Sequence, residues 1–505
     1  MHFIGIDLGT TSVRALLMSE DGKVVRTVSR DYPIEMDGRG WSQQNPDDWW
    51  DGTAAALREL TSGADAGDIG AVSFSGQMHG LVLLDERDRV IRPAILWNDQ
   101  RTQAQCDYLN NAVGRTKLLE SVANVALTGF TAPKILWVKE NEPENFKKIS
   151  KIMLPKDYIA YKLSGVFATD FSDASGMLLL DVKNGKWSDF MLGVAGVDKN
   201  QLAPLYRSYE AVGAVTPEAA ALTGLSPRTL VVAGGGDQAV GAVGVGAVLD
   251  NTCSISLGTS GVFFVASDNF NVDKNPSALH SFRHANGKFH MMGVTLAAAA
   301  SNKWWVEDIL KASDYGAEQA GVRGLGKNQV FFLPYLSGER TPYNDPSARG
   351  AFVGMNLLTT RADMTLAVME GVAYSLRDTL EAVKRLGVSP KSGRLIGGGA
   401  KSPLWSQIIA DVLDMRIEKI ASTEGPAYGA ALLAAVGWSS AGRIARPSGQ
   451  SGGAFASVEE ACALCVEVTD VYEPDADTAA RYTEKYRIYA GLYGELKETF
   501  AEIAK

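Results

Sequence analysis

The sequence predicts a mixed α/β fold made of two related lobes that enclose a cleft. The chain has 505 residues, too many for one hydrophobic core when domains usually hold about 100 to 200 residues. A short glycine-turned hairpin near the N-terminus returns near the middle of the chain, at Leu8–Val13 and at Leu257–Val262. Apolar strand patterns and helical patterns occur in both halves, which is typical of sheets flanked by helices.

The first hairpin begins with an apolar strand over Phe3–Ile6, continues through the small-residue turn Gly9–Ser12, and ends with a strand over Val13–Met18. The turn pair Asp21-Gly22 closes it. The same order of strand, turn and strand is repeated over residues 254–265. Self-similarity of this kind indicates a duplicated architecture, with one copy in each half of the chain.

Further elements follow from capping pairs and apolar patterns. Asn-Pro and Ser-Pro pairs supply an N-cap and a first helical residue. The predicted elements are a helix from Asn45-Pro46 through Leu60, a strand over Ile69–Phe74, a helix over Arg361–Leu386, a helix from Ser402-Pro403 to about Leu413 and a helix over Thr478–Ile503. No low-complexity linker separates the halves, and we expect lobes of residues 1–245 and 246–505.

Composition argues against several classes of function. Apolar residues make up 46% and charged residues 21% of the chain, as in ordinary globular proteins. The formal charge is -9 and no block of Lys or Arg occurs, which argues against a nucleic-acid surface. The longest apolar stretches, such as Val240–Leu249, are shorter than the roughly 20 residues that a membrane-spanning helix needs. We therefore expect a small-molecule protein without a membrane segment.

The N-terminus bears on the cellular compartment of the protein, and the cysteines bear on whether it holds a metal ion or a disulfide. The N-terminus lacks a basic region, and Asp7 interrupts its apolar segment, so it does not resemble a secretory signal. We expect a cytoplasmic protein. The four cysteines are Cys106, Cys253, Cys462 and Cys465. Only the last two have the spacing of a metal or redox pair, and without a second pair or a nearby histidine we assign them neither role.

The two small-residue turns are suited to hold phosphate groups. Turns rich in Gly, Thr and Ser point backbone N–H groups into a concavity and add hydroxyl donors. One such turn alone is simply a tight hairpin, but the pair favours a polyphosphate gripped from both sides. Asp7 precedes the first turn and Ser256 precedes the second, so we expect Asp7 to serve Mg²⁺, which prefers oxygen ligands. Arg14 either neutralises phosphate charge or is a solvated surface residue.

Two later glycine runs carry the remaining candidates. Asp237 follows Gly234-Gly235-Gly236 and is predicted to be the general base that orients a hydroxyl and takes its proton. The competing interpretation of this residue is a helix N-cap. The run Gly397–Ala400 lets a flat ring such as adenine lie against the backbone, although a strand-to-helix turn also favours glycine. His79, in the loop Gln77–Gly80, is a candidate partner for a sugar hydroxyl.

Longer motifs resemble the FGGY carbohydrate kinases over most of the chain. Two family signatures stand at Gly129–Trp137 and at Gly350–Met355, the second continuing through Asp363-Met364 to Ala367–Glu370. Members of the family that act on xylulose are similar in four further stretches, which are Gly76–Gly80, Leu96–Asp99, Leu154–Tyr158 and Phe332–Pro342.

The resemblance implies two actin-like or hexokinase-like lobes of ribonuclease H-like architecture, each a mixed sheet flanked by helices, with ATP and sugar in the cleft. It implies ATP-dependent phosphorylation of a ketose, with D-xylulose as the first candidate. Asp237 would be catalytic and would bind the sugar with Met78 and His79, and Asp7 would serve Mg²⁺. The implied ATP-binding residues are Thr10, Thr11, Arg14, Gly258, Thr259, Gly398, Gly399 and Ala400. Members of the family are often dimers, so a homodimer is one expectation.

Three alternatives remain open. The sugar could instead be L-xylulose, ribulose, fuculose or gluconate; glycerol is disfavoured because the family's glycerol kinases carry Arg-Glu where this chain has Met78-His79. A catalytically silent sensor on the same lobes would have lost site residues, whereas Asp7, Asp237 and both turns are present. A chaperone-like ATPase would need a separate peptide-binding domain, for which the chain has no spare length.

Overall fold

The computed structural model describes residues 1–274, 279–422, 424–445 and 455–505. The strands of the described residues are β1 (His2–Leu8), β2 (Ser12–Ser19), β3 (Val24–Asp31), β4 (Glu35–Met36), β5 (Ser42–Gln44), β6 (Ile69–Gly76), β7 (Val82–Leu84), β8 (Ala94–Ile95), β9 (Lys151–Met153), β10 (Thr169–Asp170), β11 (Leu180–Asp181), β12 (Lys186–Trp187), β13 (Leu205–Tyr206), β14 (Ala211–Ala214), β15 (Leu230–Val232), β16 (Gly235–Gly236), β17 (Thr252–Leu257), β18 (Gly261–Ser267), β19 (His280–Arg283), β20 (Phe289–Thr295), β21 (Phe331–Leu333), β22 (Ala351–Val353), β23 (Ser392–Ile396), β24 (Arg416–Ile420) and β25 (Val468–Tyr472).

The α-helices of the same residues are α1 (Pro46–Thr61), α2 (Gln103–Asp107), α3 (Arg115–Val122), α4 (Thr131–Asn141), α5 (Pro143–Phe146), α6 (Pro155–Ser164), α7 (Phe171–Ala174), α8 (Asp189–Ala195), α9 (Pro217–Thr223), α10 (Asp237–Gly244), α11 (Ala299–Lys303), α12 (Tyr315–Ala320), α13 (Arg361–Lys384), α14 (Pro403–Leu413), α15 (Gly425–Ala445), α16 (Val458–Cys465) and α17 (Ala476–Ile503). None of these helices combines the length and the apolarity that a bilayer crossing requires.

Two mixed seven-stranded sheets form the centres of the two lobes. The first has the order β14-β15-β6-β1-β2-β3, with β16 also paired to β6, and the second has the order β19-β20-β18-β17-β23-β24-β25. In the first sheet β1 is antiparallel to β2 and parallel to β6. In the second sheet β17 is antiparallel to β18 and parallel to β23. The duplicated architecture and the two-lobed α/β fold that the sequence predicts are confirmed.

The elements predicted from capping pairs are confirmed with small shifts at their ends. Asn45 caps α1 by accepting a hydrogen bond from the Asp47 amide, and Ser402 caps α14 by accepting one from the Trp405 amide. Helix α13 ends at Lys384, two residues before the predicted end. Local signals sufficed here because each cap satisfies amides of its own first helical turn.

Helices α10 and α15 connect the two lobes. Helix α15 comes from the second half of the chain but packs on β1 of the first sheet, where a Cβ on Gly5 would overlap the backbone of Ala427. Helices α10 and α15 also approach each other so closely that a Cβ on Gly244 or Gly429 would overlap the backbone of the opposite helix. The two halves of the sequence are therefore interleaved in the packing.

Candidate active site

The first small-residue turn, residues 9–11, joins β1 to β2 and is fixed by surrounding side chains. Gln44 Nε2 donates to the Thr10 carbonyl oxygen at 2.8 Å, and the Tyr32 hydroxyl donates to the Gly9 carbonyl oxygen. Trp97 Nε1 donates to Thr10 Oγ1 at 3.0 Å. Within the described residues the N–H groups of Thr10 and Thr11 have no acceptor, so the turn keeps donors available for phosphate oxygens.

The second turn, residues 258–260, joins β17 to β18 and is fixed by backbone hydrogen bonds. The Ala299 amide donates to the Gly258 carbonyl oxygen at 2.8 Å, and the Ala298 amide donates to that of Thr259 at 2.9 Å. A Cβ on Gly397 would come within 3.0 Å of the Gly258 nitrogen. The second turn and the Gly397–Ala400 run therefore lie against each other, which brings two of the predicted nucleotide segments together.

Asp7 lies near the end of β1, opposite Arg14 of β2. Burial raises the pKa of Asp7, and the positive charge of Arg14 opposes this shift. Arg14 Nη1 donates to Glu424 Oε2 at 2.8 Å, so the guanidinium is paired with an acidic residue that stands just before α15. The sequence pattern gave no sign of this partner, because the two residues are 410 positions apart.

Asp237 is the first residue of α10, and Gly236 occupies the N-cap position. Asp237 is therefore not the cap of this helix, which removes the competing interpretation of the residue. Burial and the nearby negative charge of Asp7 raise the pKa of Asp237 to about 7. The predicted general base and the predicted metal-binding carboxylate are thus within electrostatic range of each other, and the base can exchange its proton near neutral pH.

Met78 and His79 lie on the loop that follows β6, and Met78 contacts Gly236, the residue before Asp237. The Met78 side chain packs on Gly236, where an added Cβ would lie 2.9 Å from its Sδ. His79 Nδ1 is 2.9 Å from the Gly176 carbonyl oxygen, and burial together with the charge of Lys134 lowers the pKa of the imidazole. The ring is therefore neutral, Nδ1 donates to Gly176, and Nε2 remains as an acceptor for a hydroxyl.

A cavity of about 630 Å³ extends from Asp237 to the glycine run after β23. Gly397, Gly398 and Ala400 line it together with Phe264 and Ile396. Gly399 does not, since an added Cβ there would meet Leu257 and Trp405 side chains at 2.9 and 3.0 Å. Two cations that carry no distinguishing motif in the sequence, Lys401 and Lys419, also line this cavity. Its volume and its apolar lining residues suit a nucleotide whose phosphates point toward Asp237.

Two further polar residues near the Gln77–Gly80 loop were missed from the sequence. Burial lowers the pKa of both His79 and His280; the charges of Lys134, His280 and Arg340 lower that of His79 further, and the charge of Arg340 lowers that of His280 further. Arg340 therefore lies within electrostatic range of both histidines. In the described part of the chain its guanidinium has no hydrogen-bond partner. Asp173 is fully buried, neither of its carboxyl oxygens has a hydrogen-bond partner among the residues that the structure describes, and burial raises its pKa. Arg340 stands within a stretch that resembles the family, but no signal distinguished its side chain from its neighbours.

Comparison with known proteins adds an independent line of evidence. The model of the N-terminal domain of the FGGY family of carbohydrate kinases matches residues 2–244, and the model of the C-terminal domain matches residues 253–438. The chain is 39% identical over 502 residues to a xylulose kinase of Bacillus subtilis, covering 98% of this chain and 97% of that protein. It is 43% identical over 444 residues to a xylulose kinase of Escherichia coli, covering 86% of this chain and 90% of that protein.

Solved structures agree with these matches. A xylulose kinase from Rhodospirillum rubrum superposes with a TM-score of 0.89 at 28% identity, covering 99% of this chain and 100% of that chain. A gluconate kinase from Lactobacillus acidophilus superposes with a TM-score of 0.90 at 24% identity over 99% of both chains, a likeness that concerns the fold alone.

Proposed function

We propose that this chain, which belongs to the FGGY family of carbohydrate kinases, transfers the γ-phosphoryl group of ATP to a hydroxyl of D-xylulose and forms D-xylulose 5-phosphate. The observation that carries the choice of sugar is the identity to xylulose kinases over nearly the whole chain. A cytoplasmic location is part of the same proposal, since the expected substrates are intracellular metabolites.

Asp237 acts as the base in the proposed reaction. The attacking hydroxyl oxygen forms a bond to the γ-phosphorus while the bond from that phosphorus to the bridging oxygen of ADP breaks. The hydroxyl proton passes to the Asp237 carboxylate. A carboxylate whose pKa is about 7 is well matched to this task, because about half of it is ionised at neutral pH and it is still basic enough to take the proton.

The two turns and the cavity beside Asp237 support a placement for ATP. The adenine would lie near Gly397–Ala400, and the phosphates would lie between the N–H groups of the first turn and those of the second. Positioning and charge stabilisation are the main contributions a protein makes to phosphoryl transfer. Lys401 and Lys419, which line the same cavity, add positive charge toward the polyphosphate.

The residues around Asp7 fit a Mg²⁺ ion that is held chiefly by the nucleotide. No group of three or more potential metal-ligating side chains occurs among the described residues, and Asp7 offers one carboxylate near the first turn. Mg²⁺ usually keeps several waters and is held by one or two carboxylates together with substrate phosphates. When bound, the ion would neutralise charge on the β- and γ-phosphates, and Asp7 would hold it through its carboxylate.

The sugar would be recognised by side chains from both lobes. His79 Nε2 accepts a hydrogen bond from one hydroxyl, the Met78 thioether packs against the carbon chain, and Arg340 donates to a carbonyl or hydroxyl oxygen from the opposite lobe. Since Arg340 has no hydrogen-bond partner within the described residues, a ketose that contacts both Arg340 and His79 would be held by both lobes and would favour their closure. Closure of this kind excludes water, which would otherwise compete as nucleophile.

The test is a panel of acceptors in an ADP-release assay. D-xylulose, D-ribulose, L-xylulose, L-ribulose, glycerol and a sugar-free control are compared with MgATP, and Asp237→Asn is measured beside the native chain. We expect turnover selective for D-xylulose that is lost in the variant. Preference for another ketose would replace the proposed substrate but keep the mechanism, and turnover of none would overturn the proposal.

A further inference from the structure

A fully buried ionic cluster lies beneath the loop that carries Met78 and His79. Lys156 is completely buried, and its Nζ is 2.5 Å from Asp157 Oδ1 and 3.0 Å from Asp170 Oδ1. Desolvating such a group of charges is costly unless it is fully paired, so a buried cluster of this kind is weak evidence for stability alone. Because stability alone does not account for the cluster, and because it lies under the candidate site, we consider what it does for the geometry of that site.

Asp170 connects this cluster to Ser172. Its Oδ2 accepts three hydrogen bonds, from the Ser172 amide at 2.7 Å, from Ser172 Oγ at 2.6 Å and from Ser208 Oγ at 2.7 Å. Since the Ser172 hydroxyl hydrogen is donated to Asp170, the oxygen of that hydroxyl is left to act only as an acceptor. The Asp170 carboxylate therefore fixes the orientation of the Ser172 hydroxyl, and with it the side from which Ser172 Oγ can accept a hydrogen bond.

The donor to Ser172 is the backbone of the segment that positions Asp237. The Gly236 amide donates to Ser172 Oγ at 3.2 Å, and Gly236 is the N-cap residue of α10. A glycine N-cap has no side chain with which to hold the start of its own helix. A Cβ on Gly235 would come within 2.5 Å of Ser172 Oγ, so the glycines also permit this close approach.

We propose that Ser172 is a positioning residue for Asp237. The chain of contacts from Lys156 through Asp170 and Ser172 to the Gly236 amide fixes the first turn of α10, and with it the direction in which the Asp237 carboxylate faces the substrate. Ser172 touches neither substrate in this account and acts through the backbone. This inference rests on the proposed role of Asp237 as the base.

Ser172→Ala is the test, with Ser208→Ala as its matched control. Both serines are buried and donate to the same oxygen of Asp170, but only the Ser172 side chain accepts from Gly236. The control variant keeps its own backbone bond to the glycine run, from the Gly234 amide to the Ser208 carbonyl oxygen at 2.9 Å. The two variants therefore share the loss at Asp170 and differ in the contact to α10.

We expect Ser172→Ala to lower kcat by about 5- to 150-fold, since a buried amide left without an acceptor costs about 1 to 3 kcal/mol. The KM for ATP should change less than about twofold, and Ser208→Ala should change kcat less than about threefold. Equal losses in both variants would assign Ser172 a purely structural role. Unchanged kcat in Ser172→Ala would overturn the proposal. If that variant does not fold, Ser172→Cys, a near-isosteric weaker acceptor, carries the same expectation.

Hydrogen exchange separates this inference from the proposed reaction. In the protein without substrates, the peptide that spans residues 233–240 should exchange at least about fivefold faster in Ser172→Ala than in Ser208→Ala. This readout does not depend on which sugar is phosphorylated. Equal exchange in the two variants contradicts the contact, whereas faster exchange with an inactive native protein contradicts only the proposed function.

Discussion

The pH dependence of turnover is the prediction that the structure specifies most closely. Burial and the Asp7 charge raise the pKa of Asp237 from the ordinary 3.8 to about 7. Only the ionised carboxylate accepts the hydroxyl proton, so its fraction sets the rate. A group with this pKa is ionised in about 9% of molecules near pH 6 and in about 91% near pH 8. We therefore expect kcat/KM for the ketose to rise about tenfold across this interval.

The assay is a direct separation of ADP from ATP at pH values from 5 to 9, because coupling enzymes have pH profiles of their own. Below the midpoint, the base-10 logarithm of kcat/KM should fall by about one for each unit by which the pH is lowered, as expected for a single ionising base. Asp237→Asn should lower kcat by about 10² to 10⁴-fold and remove this slope, since an amide side chain does not ionise between about pH 5 and pH 9 and cannot act as a base. A native profile that stays flat down to pH 5 would refute the assignment.

Two other buried carboxyls serve as controls, because burial raises the pKa of both Asp378 and Glu339 to about 7. Asp378 accepts a hydrogen bond from Tyr486 at 2.7 Å and lines no part of the cavity. Asp378→Asn should therefore leave the midpoint unchanged. Glu339 precedes Arg340, so Glu339→Gln is the sharper control. If the midpoint of the pH profile disappears in Glu339→Gln, but is still measurable in the residual activity of Asp237→Asn, the titrating group is Glu339 and not Asp237.

The remaining predictions concern stability, metal, sugar and closure. Asp237 has a higher pKa in the folded chain, about 7 against 3.8, so its ionisation destabilises the fold as pH rises through this window. Asp237→Asn should raise the free energy of unfolding at pH 8 by up to about 4 kcal/mol and by nothing near pH 4 in a denaturant titration, and equal stabilities at pH 8 would contradict the buried charge. Asp7→Ala should raise the Mg²⁺ concentration for half-maximal rate, and an unchanged metal titration would remove Asp7 from that role. Arg340→Met should raise the KM for the ketose at least about tenfold but hardly change that for ATP, and the reverse pattern would place Arg340 at the nucleotide. Small-angle scattering should report a smaller radius of gyration when ketose is added, and identical profiles would count against closure.

The sequence was most informative where structure depends on neighbours along the chain. The two hairpins could be predicted because turn and strands lie within about a dozen residues, and helices α1 and α14 because Asn45 and Ser402 cap them locally. The contact of Ser172 with Gly236, 64 residues apart, and the pair of Arg14 with Glu424 have no such local signature. Both depend on how separate elements pack, which no single window of sequence contains.

The position of α10 between the lobes links the proposed closure to the proposed base. Val240 and Val243 of α10 pack with α15 in an apolar cluster that also holds Phe3 of the first sheet. Ala242 of α10 and Val245, the residue that follows this helix, pack with Phe264 of the second sheet. A helix held by close backbone contact to α15 on one face and by the second sheet on another must respond when the angle between the sheets changes. Asp237 stands at the first residue of this helix, so the proposed closure on a sugar would also move the proposed base relative to both small-residue turns.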